Sequence, residues 1–96
     1  VRVLVEHGHP YAQRAYGAGR HDDRGDVAGV PGFVIEAKNH GRFDLSGWMR
    51  EAEVEAANVG PGTLPVVVVK RRLRAPADAY AIMRLADWAT ITRLET

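Results

Sequence analysis

The 96 residues carry 46% hydrophobic and 26% charged side chains, with a formal net charge of +1. These values fit one soluble domain spanning 1–96, and no apolar run approaches the roughly 20 residues needed to cross a bilayer. The absence of cysteine excludes a disulfide framework and a thiolate metal site, and we expect a cytoplasmic protein.

The first 25 residues predict a helix end, a strand and a loop. Residues 1–7 are mostly apolar and are followed by Gly8 and Pro10, which indicates the last turns of a helix whose beginning is cut short. A strand is the alternative for 1–7, because its three valines favour one. Residues 11–16 predict a first strand. Residues 17–25 combine glycine and charge without apolar periodicity, which predicts a loop.

Residues 26–38 predict a β-hairpin, with strands at 26–30 and 33–38 joined by a turn at Pro31-Gly32. Asp44 then predicts the N-cap of a helix over 45–58. This helix carries one apolar stripe at helical spacing, which should pack on the sheet: Leu45, Trp48, Met49, Ala52, Ala56 and Val59. Its acidic residues are expected on the solvent-facing side: Glu51, Glu53 and Glu55.

The second half of the chain predicts a βαβ unit followed by a hairpin strand and a helix. Residues 65–69 form a continuous apolar run, which suits a strand buried on both faces. Strand 33–38, helix 45–58 and strand 65–70 should therefore form a right-handed crossover between parallel strands. Residues 71–78 predict a basic loop, 79–84 a strand, and 86–93 a short closing helix in which Trp88 packs against Ile91.

Three polar residues of the predicted hairpin could form a site. Successive strand side chains alternate between faces, so Glu36 and Lys38 share one face, and a paired strand would let Asp26 reach them. Two carboxylates, with the backbone carbonyl of Ala37, are suitable ligands for Mg²⁺. A bound metal and Lys38 would together permit phosphodiester hydrolysis. The alternative is a surface hairpin in which Glu36 and Lys38 form a weak ion pair.

A basic cluster follows the buried strand and consists of Lys70, Arg71, Arg72 and Arg74. Such clusters are typical of phosphate contacts, although a solvated strand end is the alternative. Arg20 and Arg24, in the loop before Asp26, are weaker candidates of the same kind.

The longer strings around these residues make the chain resemble a known family. DRGDVAGVPGFVIEAKN from Asp23 to Asn39 resembles the PD-(D/E)xK nucleases, and in particular the Holliday junction resolvase-like nucleases of phages and prophages. WMREAEVEAAN at 48–58 and VVVVK at 66–70 are similar to the same group. The resemblance extends from about Gly8 to Leu85.

This resemblance implies an α/β fold, with a mixed β-sheet flanked by helices, and a Mg²⁺-dependent endonuclease acting on branched DNA as a homodimer, with Mn²⁺ able to replace Mg²⁺. By position, Asp26 and Glu36 would bind the metal and Lys38 would be the catalytic lysine. The chain departs from the family pattern at Gly25, where the family name has Pro. Many junction resolvases also carry an acidic residue in the N-terminal helix, and Glu6, near the end of the shortened helix, is not assigned that role.

Two alternatives remain open on the sequence alone. One is another nuclease of the same superfamily, of the restriction or nicking type. The other is a catalytically inactive DNA-binding module with the same fold. The intact trio Asp26, Glu36 and Lys38 favours an enzyme over the inactive module. With the nuclease interpretation in place, DNA-phosphate contact is also the favoured role for the basic cluster.

Overall fold

A computed structural model describes residues 1–15, 25–39 and 42–93. Residues 17–24 of the predicted loop at 17–25, which include Arg20 and Arg24, lie outside the described residues. The helices and strands occur in the predicted order, with these bounds: α1 Arg2–Glu6, β1 Gln13–Arg14, β2 Val27–Ala28, β3 Phe33–Lys38, α2 Leu45–Val59, β4 Leu64–Val69, a 3₁₀ turn Pro76–Asp78, β5 Tyr80–Ile82 and α3 Leu85–Thr92.

The five strands form one mixed sheet in the order β1-β2-β3-β4-β5. β3 and β4 are parallel, with Glu36 opposite Val67, whereas the other neighbouring strands are antiparallel. The predicted α/β class, the 26–38 hairpin and the parallel βα unit are therefore confirmed. The specific PD-(D/E)xK fold stays a prediction.

The β2–β3 hairpin is closed by a tight turn. The backbone N–H of Phe33 donates to the carbonyl of Val30 at 3.3 Å. Gly29 and Gly32 have φ of 85° and 87°, in the left-handed region that residues other than glycine rarely adopt. Further from the turn, the N–H of Asp26 donates to the carbonyl of Ile35 at 2.8 Å. This bond fixes the position of Asp26 beside β3.

Helix α2 covers one face of the sheet. It begins as predicted, because the side chain of Asp44 accepts a hydrogen bond from the N–H of Gly47. Trp48 and Ala52 pack with Val67 of β4. The opposite face of the sheet carries a second cluster, which includes Ala12, Val30 and Ile35 and is contacted by Leu4 of α1.

Strand β4 is buried on one face only, so the prediction of burial on both faces is wrong. Val67 beneath α2 has no exposed surface. Val66 and Val68, on the other face, are half-buried and line an apolar cavity of about 500 Å³ between the sheet, α1 and the 3₁₀ turn. On that side, Leu4 of α1 packs against the same apolar cluster as Val66 and Val68 but leaves both valines partly exposed.

Helix α3 packs less closely than its sequence predicted. Trp88 and Ile91 are both about half exposed, so neither side chain is buried in the core of the described chain, and the contact between them stays a prediction. Asp87 of the same helix is instead buried, and it binds the guanidinium of Arg84 at 3.0 Å. Within the part of the chain that the structure describes, no helix has the length and apolar character needed to span a membrane.

Candidate functional site

Asp26 is held beside the middle of β3. Its carboxylate oxygen Oδ2 accepts a hydrogen bond from the backbone N–H of Ala37 at 2.8 Å. Its own N–H is bonded two residues earlier on β3, at Ile35. The structure thus brings the exposed Asp26 carboxylate to the strand segment that carries Glu36 and Lys38, as the hairpin predicted.

Glu36 and Lys38 lie on the same face of β3, as strand alternation predicted. The ammonium Nζ of Lys38 is 3.4 Å from Oε1 of Glu36, and their side chains are only 11% and 9% exposed. This face lies against α2, so the pair is enclosed between the sheet and the helix. The alternative of a solvated surface pair does not fit this burial.

Two glutamates of α2 complete the cluster, and neither was predicted to belong to it. Lys38 Nζ donates to Oε2 of Glu51 at 2.8 Å. Glu55, one turn further along α2, is 1% exposed. The prediction that both residues belong to a solvent-facing side is therefore wrong for Glu55. Glu51 is largely exposed to solvent, but its carboxylate is directed toward Lys38.

The signal that could have identified Glu55 is its spacing. It follows Trp48 by seven residues and Ala52 by three, so it lies on the apolar stripe that packs on the sheet. A charged residue on such a stripe indicates either a buried partner or a bound ion. Ala56, the neighbouring position that the stripe did include, is also buried.

Burial and neighbouring charges shift the pKa of both strand residues. Burial is the largest cause that raises the pKa of Glu36, and the charges of Asp26 and Glu51 raise it further. Two contacts lower the pKa of Glu36: a hydrogen bond with the Glu55 carboxyl group and the charge of the Lys38 ammonium. The hydrogen bond between the two carboxyl groups requires that one of them carries a proton. The pKa of Lys38 is raised, first by its hydrogen bond to Glu51, so Lys38 stays charged at neutral pH.

The carboxylates have the chemistry of a hard-cation site. One oxygen from each of Glu36, Glu51 and Glu55 lies within 4.8 Å of the others. Asp26 is not a member of this group. Oε2 of Glu36 is buried and receives no N–H donor from the described residues, while the Glu36 side chain is paired with Lys38 and with the Glu55 carboxyl group. A proton shared with Glu55 or a bound cation would each satisfy this oxygen, because buried polar atoms have partners.

The basic cluster begins at the same edge of the sheet as Lys38. Because β3 and β4 are parallel, their carboxyl ends lie together, and the N–H of Lys70 donates to the carbonyl of Lys38 at 3.1 Å. Arg71 is half-buried, with its guanidinium 4.7 Å from the centre of the Tyr80 ring. Arg72 and Arg74 are exposed.

Comparisons with known proteins add no identity: no family model, curated protein or solved structure matches the chain. The functional interpretation therefore depends on the side chains of this site and on the edge of the sheet where they meet.

Proposed function

We propose that the chain is a metal-dependent DNA endonuclease that hydrolyses phosphodiester bonds in branched DNA. The observation that carries the proposal is the convergence of Asp26, Glu36 and Lys38 on one segment of β3. Asp26 is anchored to the N–H of Ala37, between the other two residues. Lys38 lies 3.4 Å from Glu36.

Asp26, Glu36 and the carbonyl of Ala37 are the proposed Mg²⁺ ligands. All three offer oxygen atoms, which Mg²⁺ and Mn²⁺ prefer. When bound, the metal supplies a water of lowered pKa and neutralises charge on the phosphate. The hydrogen bond from Ala37 to Asp26 orients one carboxylate toward the strand before any metal binds.

Lys38 is proposed to act as a positive hydrogen-bond donor. Its raised pKa keeps the ammonium protonated, so it is suited to stabilising negative charge on the phosphate oxygens and to orienting a water molecule. It is not suited to removing a proton from that water. Its contacts with Glu36 and Glu51 hold the long side chain in one orientation.

The basic cluster Lys70, Arg71, Arg72 and Arg74 is proposed to bind DNA phosphates next to the site. Its first residue is hydrogen-bonded to Lys38 through the backbone, so a duplex bound there would pass close to the carboxylates. Phosphate contacts of this kind position DNA without reading its sequence. A homodimer, which presents two such edges, is proposed as the form that grips a branched substrate.

Cleavage of a labelled four-way junction, beside a linear duplex of the same sequence, tests the proposal. Each substrate is incubated with Mg²⁺ or with EDTA, using the wild type, Glu36→Gln and the control Glu53→Gln, which changes an exposed acid of α2. We expect paired symmetric nicks in the junction, no cleavage in EDTA, and a loss of about 100-fold or more in Glu36→Gln. Glu53→Gln should cleave like the wild type.

Other outcomes would separate the alternatives. Cleavage of both substrates would indicate a nuclease of the restriction or nicking type. Binding of the junction without cleavage in Mg²⁺ or Mn²⁺ would indicate an inactive DNA-binding module. Absence of both binding and cleavage would contradict the proposal, and sedimentation with and without DNA would test the dimer separately.

A further inference from the structure

Leu73 combines two unusual properties within the basic cluster. The residue is 94% exposed, more than any other large hydrophobic residue of the described chain. Its φ is 58°, and no other residue except glycine has a positive φ among those that the structure describes. In this left-handed region the Cβ atom of an L-residue crowds the following carbonyl oxygen, which raises the energy of the backbone. Leu73 therefore adopts an unfavourable conformation while its side chain faces solvent.

A tight turn explains the conformation but not the choice of leucine. The backbone N–H of Arg74 donates to the carbonyl of Arg71 at 3.3 Å, which makes Leu73 the third residue of a four-residue turn. When the third residue of a turn has a positive φ, glycine or asparagine is the usual occupant. The exposed leucine gains no burial that could offset the cost of this conformation. Isolated exposed leucines are common on protein surfaces, but a strained one points to a contact outside the folded chain.

The turn is anchored where it begins, so Leu73 is presented from a defined position beside the proposed cleavage site. The N–H of Lys70 donates to the carbonyl of Lys38 at 3.1 Å, and the guanidinium of Arg71 lies 4.7 Å from the centre of the Tyr80 ring. Three residues span at most about 10 Å, which is the length of about three base-pair steps. A duplex bound over Lys70 would therefore bring Leu73 within a few base pairs of the bond to be cleaved.

We propose that Leu73 inserts between bases at the branch point of a DNA junction, while Arg72 and Arg74 contact the phosphates beside it. Proteins that kink DNA insert apolar side chains such as leucine between base steps, and the unstacking that this requires costs free energy. The cost is lowest where bases are already unpaired or poorly stacked, as they are at a branch point. The inference rests on the proposed function and deepens it, because it assigns the preference for branched DNA to one residue.

The surroundings of Leu73 favour DNA over a protein partner. Its two chain neighbours, Arg72 and Arg74, are exposed arginines, and Lys70 and Arg71 precede them. The apolar core of a protein interface is normally depleted of charged residues. A DNA-binding surface instead combines cations that neutralise phosphates with an apolar side chain that reaches the bases.

Binding to a four-way junction and to a linear duplex of the same sequence, in EDTA so that neither is cleaved, tests the inference. A fluorescent base analogue at the branch point reports loss of stacking by increased emission. The variant is Leu73→Asn, because asparagine tolerates a positive φ and replaces the apolar side chain with a polar one of similar size. We expect the wild type to increase the emission. Leu73→Asn should abolish this increase and weaken junction binding about tenfold, as expected when burial of one leucine is lost, with duplex affinity close to that of the wild type.

Two controls separate insertion from a structural role. Leu73→Met keeps a long apolar side chain and should retain both the increase in emission and the junction affinity. Leu85→Asn changes a second leucine, which is 77% exposed but lies in α3 outside the basic cluster, and it should bind like the wild type. Because Leu73 is almost fully exposed, Leu73→Asn should unfold at the same urea concentration as the wild type or a higher one.

Different results would overturn the inference and the proposed function. Wild-type junction affinity and emission in Leu73→Asn would overturn the inference, and junction cleavage in Mg²⁺ by the same protein would leave the proposed function intact. Equal losses of affinity for the junction and the duplex would also overturn it, because Leu73 would then not distinguish the branch. So would loss of a dimer in sedimentation of Leu73→Asn without a change in emission, which would place Leu73 against a second copy. An increase in emission that depends on Leu73, without cleavage in Mg²⁺, would support the inference and contradict only the endonuclease activity. Absence of wild-type junction binding would overturn both.

Discussion

Glu36 lies in an environment that disfavours its charge. Burial and the charges of Asp26 and Glu51 raise its pKa above the ordinary value of 4.5. An acid whose pKa is raised by folding stabilises the folded state below its unfolded pKa, and that contribution is lost as the pH rises through the folded pKa. In metal-free protein, the contribution of Glu36 to stability should therefore fall as the pH rises above about 4.5.

The substitution Glu36→Gln should remove this pH dependence. In EDTA, the wild type should lose stability relative to Glu36→Gln as the pH rises from 4 to 8. The free energy of unfolding of the variant minus that of the wild type should therefore become more positive over this range. Each tenfold change in proton affinity corresponds to about 1.4 kcal/mol. Urea unfolding at several pH values measures the difference, and Glu53→Gln serves as the exposed control. A constant difference across this pH range would contradict the assignment of the pKa shift to Glu36.

Lys38 compensates the charge of the same cluster. Lys38→Met should lower the free energy of unfolding by about 2–3 kcal/mol at pH 7.5 in EDTA, because it leaves Glu36 and Glu51 without their ammonium partner. The loss should be smaller at pH 5, because the raised pKa of Glu36 favours protonation of its carboxyl group as the pH falls. Chemical denaturation measures both values. Lys70→Met, at an exposed lysine, should change stability by no more than about 0.5 kcal/mol, and an equal loss there would contradict this explanation.

At the scale of single residues, strand alternation was enough to predict that Glu36 and Lys38 share a face, and hairpin pairing was enough to bring Asp26 to them. The two α2 glutamates were not predicted, because helical spacing shows which positions face the sheet but charge suggested solvent. Only the packing of α2 on β3 reveals that Lys38 supplies a partner for Glu51. Roles in catalysis or metal binding stay predictions.

Among the secondary-structure elements, the β2–β3 hairpin depends on two glycines in different surroundings. Gly29 has a φ of 85°, and a Cβ atom added there would collide with the backbone carbonyl of Tyr11. Gly32 has a φ of 87°, and a Cβ atom there would contact nothing within 4 Å. The two positions therefore separate the cost of the backbone conformation from the cost of crowding.

Replacing each glycine by alanine measures the two costs. Gly32→Ala should destabilise the fold by about 1–2 kcal/mol, the cost of a left-handed conformation for a residue with a side chain. Gly29→Ala should cost at least about 2 kcal/mol more, because the chain around Tyr11 must move. Urea unfolding of both variants provides the comparison. Equal losses would mean that Tyr11 does not restrict this position.

The order and type of the elements were largely predictable, whereas their packing was not. Asp44, the apolar stripe of α2 and the run at 65–69 are strong local signals, and each element formed where it was expected. The valines of β4 could not show that only one face would be covered, because that depends on which helix lies above each face. Similarly, the apolar residues of α3 specified a helix but not a partner for Trp88.

For the whole molecule, a net charge of +1 creates no strong overall field to attract DNA. Any salt-dependent binding must therefore arise from local clusters. Arg72 and Arg74 are exposed beside the carboxyl ends of β3 and β4, whereas the guanidinium of Arg71 lies over the Tyr80 ring and contributes to packing. The two exposed arginines are thus the better test of phosphate contact.

We expect the double variant Arg72→Ala/Arg74→Ala to bind a four-way junction more weakly, with a reduced dependence on salt. Each phosphate contact contributes a slope of about 0.9 in a plot of log affinity against log salt concentration for duplex DNA, so the loss of two contacts should reduce the slope by about 1.8. Fluorescence anisotropy in EDTA, at several NaCl concentrations, measures this slope without cleavage.

Arg2→Ala is the matched control, because Arg2 is an exposed arginine that pairs with Glu6 on α1 and does not belong to the basic cluster. It should leave the salt slope unchanged. A double variant with weaker binding and an unchanged slope would mean that Arg72 and Arg74 support the structure of the edge rather than contact phosphates. Unchanged affinity would exclude both residues from the DNA interface and would leave Lys70 and Arg71 as the members of the basic cluster that could contact phosphates.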